Sequence, residues 1–130
     1  MGLIIKELPI RGDVGSAQAQ VLFDTGASMS FVRKALASKV ATILKAPEST
    51  VFRLGDGQGT LEAREEAILR VTINGCEISD NFMVVDHLAD DVIIGAKTLQ
   101  GWRIKLDMEH EEVIIDPKVS QMRLVYLSVL

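Results

Sequence analysis

The chain has 130 residues, 48% of them hydrophobic and 25% charged, enough apolar material for one buried core and too much for a disordered segment. A net charge of −4 with no basic block excludes nucleic acid and an anionic membrane surface as first-choice partners. Cys76 is alone, so no intrachain disulfide can form, and His87 and His110 lie too far apart for a zinc pattern; no metal is implied.

The amino terminus, "MGLIIKELPIRGD", has an apolar run too short for a signal peptide, and no run reaches membrane-spanning length. The expectation is a soluble, cytoplasmic protein, free-standing or released from a larger precursor. Residues 3–8 and 18–23 read as strands, with "RGDVGS" as the turn between them. In "SFVRKALASKVATILKAP", Val32, Leu36, Val40 and Ile43 fall at helical spacing, while Arg33, Lys34, Ser38 and Thr42 take the other side. The pattern predicts a helix capped by Ser28 or Ser30 and ended before Pro47.

Asp56-Gly57, widened by Gly55 and Gly59, signals a hairpin turn. From Ala67 to Ile73 apolar and polar residues alternate, predicting a half-buried strand. Asn74-Gly75 then turns the chain into a strand over 77–85. "DDVIIGAKTLQGW" brings an apolar strand to a glycine and a short helix, echoing "VLFDTGAS". Ile104, Leu106 and Met108 mark a further strand, and 113–115 another, followed by a turn at Asp116-Pro117. Residues 122–130 are apolar on both faces and read as a terminal strand that something must cover.

The stretch "VLFDTGASMS" carries the chemistry. Three apolar residues deliver Asp24 to four small side chains. Taken alone, Asp24 is a turn aspartate or a helix cap. A phosphate-gripping Asp-x-Gly-x-Ser hairpin of the actin-like ATPases is a further reading, but that architecture needs two large domains. Phe82 and Trp102 read as core. Glu62, Glu65 and Glu66 read as a solvated strand edge, and Cys76 as an inert turn residue. "LGDGQG" lacks the Lys-Ser/Thr that a phosphate loop requires.

Three features in one order alter the balance. Leu22-Phe23-Asp24-Thr25-Gly26-Ala27-Ser28, the glycine-rich "FRLGDGQGTLEA", and Asp91-Val92-Ile93-Ile94-Gly95 before a helix together resemble the retropepsin-like aspartic peptidases. The resemblance implies a mainly β fold over residues 1–130, a closed barrel forming one half of an acid protease, with one or two short helices. It implies a flap at about 51–63 and an extension at about 108–130. Asp24 would be catalytic, supported by Thr25, Gly26 and Ala27. Leu54, Gly55, Asp56 and Gly57 would lie over the substrate, and Leu22, Leu54 and Ile93 would wall its pockets. No cofactor is implied, and the partners would be a peptide or protein substrate and a second copy of the chain.

The physical case for that chemistry is independent of the likeness. Metal-free peptide hydrolysis needs one group to take a proton from water and another to polarise the carbonyl. Two carboxylates a few ångströms apart do both, because like charges that close share one proton. The sequence supplies one such motif, with Ile94 standing where the echo would place a second aspartate, so a symmetric homodimer is expected. Many viral members pair an acidic residue just after the first motif with an arginine after the second glycine. Here those places hold Ser28 and Ala96, with Lys97 next, so that pair is missing. A dimeric peptide-binding module of the same fold, without turnover, is the alternative function.

Overall fold

Why should "VLF" and "VII", each three apolar residues in a row, occur in strands that ordinarily alternate? The computed structural model, which describes residues 3–53 and 59–128 (125–128 as backbone only), answers with two cores. Strand β1 (Leu3–Arg11) pairs antiparallel with β2 (Ser16–Asp24), and β2 pairs in parallel with β7 (Val92–Ile94). Val21, Phe23, Val92 and Ile94 point into the main core, while Leu22 and Ile93 point the opposite way into a smaller one. Strands covered on both faces read as continuous apolar runs.

Strand β3 (Phe31–Arg33) inserts between β7 and β6 (Cys76–Val85), antiparallel to the first and parallel to the second. Here too the faces divide, with Val32 in the main core and Phe31 in the smaller one. Strand β5 (Thr60–Ile73) pairs with β6 and, through Ile10 opposite Val71, with β1. These pairings close a six-stranded ring, β1-β2-β7-β3-β6-β5. Strand β4 (Leu44–Arg53) hangs outside the ring on β5. Phe23, Leu69, Ile78, Phe82 and Trp102 are among the fully buried side chains of the main core, as the sequence implied for Phe82 and Trp102. Each contributes about 1.5–3 kcal/mol through burial.

Helix α1 (Lys34–Val40) is shorter than its periodicity predicts, and Phe31 to Arg33 are strand instead. Sheet pairing on both sides outweighs the helical spacing of Val32 with Leu36 and Val40. Neither Ser28 nor Ser30 caps it: Arg33 holds that position, without a side-chain hydrogen bond. Pro47, expected beyond the helix, lies within β4, where the pairing with β5 shifts register between Lys45 and Thr50. An outer strand tolerates proline at such an irregularity. The end of α1 also braces the first hairpin, since the Val40 carbonyl accepts the N–H groups of Val14 and Gly15, each at 3.0 Å.

The turn between β5 and β6 is the expected Asn74-Gly75, with φ of 49° and 80°. Two consecutive left-handed residues match the twist of the flanking strands. Asn74 also donates from Nδ2 to the Val113 carbonyl at 2.7 Å. The carbonyl belongs to a separate two-stranded sheet of β8 (Lys105–Asp107) and β9 (Glu112–Ile114).

The terminal segment departs from expectation. Instead of a strand, helix α3 (Pro117–Ser128) begins at Asp116-Pro117, a third helix among the described residues. The Asp116 carboxylate accepts the Lys118 N–H at 2.9 Å, and its carbonyl accepts the Ser120 N–H at 3.1 Å. Proline in the first helical position has no needed N–H to lose. The helix docks where the buried Ser120 hydroxyl donates to the Glu77 carbonyl and the Arg123 guanidinium sits 5.1 Å from the Trp102 ring centre. Residues 129–130 lie outside the described part.

Candidate active site

Asp24 ends β2 at the mouth between the two cores, half-buried, in the strand whose neighbour β7 runs out beside it into Gly95. Its carboxylate accepts the Gly26 N–H on Oδ1 at 2.8 Å, and its carbonyl accepts the Ala27 N–H at 3.2 Å. The turn so formed leaves Thr25 and Gly26 exposed while Ala27 is buried. Among the described residues the second carboxylate oxygen of Asp24 has no hydrogen-bond donor, and it lies beside the exposed Thr25 and Gly26.

The turn rests on the start of helix α2 (Ala96–Gly101). The Ala96 N–H donates to the Ala27 carbonyl at 2.7 Å, and the Lys97 N–H to the Ser28 carbonyl at 3.0 Å. Two helix-terminal donors without intrahelical partners are thus satisfied by the Asp24 loop itself. Gly95 makes this contact possible. A Cβ there would stand 2.7 Å from the Ala27 carbonyl oxygen and closer still to that of Met29. The echo seen in sequence is a physical interface between the two motifs.

Behind the turn lies the smaller core. Leu22 and Ile93, Cα partners in the β2–β7 register, share it with Ala27, Phe31, Ala63, Met83 and Val85. Phe52 of β4 and Leu61 of β5 pack against it from the outer hairpin, with the Phe52 ring edge-on to Phe31 at 5.2 Å. The paired strands β4 and β5 thus lean over the same apolar floor that backs Asp24. The expected hairpin residues Leu54, Gly55, Asp56 and Gly57 lie outside the described residues.

The structure therefore gathers Asp24, Thr25, Gly26 and Ala27 in one turn and sets Leu22 and Ile93 under it. Sequence reading missed Phe31, Phe52 and Met83 in that floor. It also missed the hydroxyls of Ser30 and Thr98, which meet at 2.6 Å behind Gly95. No local pattern marks them, since Ser30 and Thr98 are 68 residues apart and hold different places in the two motifs. Glu62, Glu65 and Glu66 pair with Arg64, Lys34 and Asn81, but they do not lie on a strand edge: β4 flanks β5 at all three, and β6 also flanks it at Glu65 and Glu66.

Electrostatic support comes from Asp91. It receives the Arg33 guanidinium at 2.7 Å on one oxygen and the Gln20 N–H at 2.9 Å on the other. Burial pushes its carboxyl up, but the Arg33 and Gln20 hydrogen bonds and the Arg33 charge together hold it below its ordinary value. Among the described residues, no three His, Cys, Asp or Glu side chains converge as metal ligands. No helix there is long and apolar enough to cross a membrane.

The family model of the gag-polyprotein putative aspartyl protease matches residues 10–101, which span both motifs and the outer hairpin. The chain belongs to that retropepsin-like family. Among solved structures it is similar to the retroviral protease-like domain of Ddi1 from Leishmania major, with a TM-score of 0.63 over 89% of this chain and 90% of that one. At 20% identity this likeness shows the retropepsin-like fold alone. No curated protein matches the sequence. Within the family's first motif, Asp24 is the residue with a carboxylate, and the second motif carries Ile94 and Gly95 at the neighbouring strand end.

Proposed function

We propose that the chain is an aspartic endopeptidase that works as a homodimer, with Asp24 of each copy facing the other across a two-fold axis. The observation that carries this reading is the Asp24 turn: a half-buried carboxylate beside exposed Thr25 and Gly26, held by the Gly26 N–H and seated on the second motif through Gly95. One carboxylate takes the proton of a water held between the pair, and the other, protonated, polarises the scissile carbonyl. Gly26, without a side chain, lets the two turns approach closely, and Thr25 helps hold the loop rigid. A substrate peptide lies extended between the turns and the hairpin at about 51–63, which acts as a flap. Leu22, Leu54 and Ile93 favour apolar side chains beside the cut.

Two surfaces support a second copy. Leu3 and Ile5, 51% and 55% exposed, stand opposite Asp24 and Leu22 in the β1–β2 register. On the other side of the turn, a concavity of about 660 Å³ reaches from Thr25 along Leu99, Ile104, Leu106 and Met108. Apolar surface flanking a half-built site is what a symmetry mate would cover.

The test is cleavage of an unfolded protein substrate from about pH 4 to about pH 7, with and without a transition-state-mimicking inhibitor. Asp24→Asn should lower turnover by about a hundred- to ten-thousand-fold. Undiminished cleavage in that variant would overturn the reading. Extended peptides bound but never cut by the unmodified protein would make it a peptide-binding module.

A further inference from the structure

We propose that Ser30 and Thr98 are positioning residues that fix the Asp24 carboxylate through Gly95, a role that rests on the peptidase reading above. Ser30 is 2% exposed and Thr98 1%; with Ser120 they are the buried polar residues among those described. The Ser30 side chain accepts the Gly95 N–H on Oγ at 3.0 Å and meets Thr98 Oγ1 at 2.6 Å. Its carbonyl accepts the Met83 N–H at 2.9 Å, which anchors Ser30 to the barrel wall.

From that anchor a chain of hydrogen bonds runs to the reacting group. Ser30 holds Gly95, and the next residue, Ala96, donates to the Ala27 carbonyl at 2.7 Å. Ala27 in turn donates to the Asp24 carbonyl at 3.2 Å, and Gly26 to Asp24 Oδ1 at 2.8 Å. Apolar residues of the same size would fill this space as well. Buried hydroxyls that break even at best against apolar packing are explained by direction: a hydrogen bond fixes distance and angle where a methyl contact does not. The β2–β7 pairing sets the two motifs side by side, and the hydroxyl pair sets how far Gly95 sits beneath the Asp24 turn. In a two-carboxylate site an error of about 1 Å costs on the order of a hundredfold in rate.

The experiment uses the full chain as Ser30→Ala, Thr98→Val and the conservative Thr98→Ser. Amide hydrogen exchange is measured at Gly26, Ala27, Ala96 and Lys97, with amides of β5 and β6 as reference. Ser30→Ala and Thr98→Val should speed exchange at those four sites by about tenfold and leave the reference amides unchanged. In Asp24-dependent cleavage, kcat should fall by about a hundredfold with KM within about twofold, while Thr98→Ser keeps both values. Uniform acceleration across the barrel would reduce the pair to a structural role and overturn the proposal. So would unchanged local exchange, or full kcat in both disruptive variants. Absence of any Asp24-dependent cleavage in the unmodified protein would sink the peptidase reading, and the exchange comparison would still decide whether the hydroxyls hold the loop.

Discussion

Gly95 is where the site has least latitude. Its hydrogen atom faces two backbone carbonyls, of Ala27 and Met29, neither of which can swing away as a side chain would. Gly95→Ala should therefore destabilise the fold by about 1–3 kcal/mol, read by urea denaturation, and abolish cleavage in whatever fraction remains folded. An alanine variant with unchanged stability would show that the two motifs do not press together as described. Legibility at single residues followed chemistry that is local. Asp24 was conspicuous because a carboxylate followed by small residues is unusual at a strand end, and Asn74-Gly75 because left-handed turns restrict the residues allowed. Ser30, like Ser28, reads locally as a helix cap. Its true partners, Gly95 and Thr98, are 65 and 68 residues away, beyond the reach of local pattern.

Among the elements, the strap made by Asp91 connects three strands: it lies just before β7, bonds the β2 backbone at Gln20 and pairs with Arg33 of β3. Because its folded carboxyl titrates below the ordinary 3.8, it adds stability above that value and loses it as pH falls through the lower folded value. Asp91→Asn should lower stability at neutral pH by about 1 kcal/mol, after allowing for solvent screening of the pair. It should also flatten the acid slope of stability below about pH 4, measured by thermal unfolding across pH. An unchanged acid slope would show that Asp91 carries no such load. Elements were legible where one face alone is buried, as in the alternation of Ala67, Leu69, Val71 and Ile73. They were not where pairing overrode spacing, as at Phe31–Arg33 in β3. The apolar residues of the terminal helix show no clear period, so the sequence reads there as a strand. The usable sign is Asp116-Pro117, a cap followed by a first-turn proline.

For the molecule as a whole, the ring of six strands explains why most of the chain is committed to one core while a second, smaller one opens beside Asp24. That second core was only partly visible in sequence. Leu22 and Ile93 stood next to the motifs, whereas Phe31, Phe52 and Met83 come together only when β3, β4 and β6 are in place. One carboxylate motif per chain and exposed apolar surface on both sides of its turn make the assembly the central claim. It is tested most directly by mixing the unmodified chain with about a tenfold excess of Asp24→Asn and measuring cleavage per unmodified chain. If each active site is built from two copies, random pairing leaves roughly a tenth of the unmodified chains with an intact partner, and activity should fall to about that level. Activity unchanged by the excess would mean that a single chain holds the whole site, and would contradict the account.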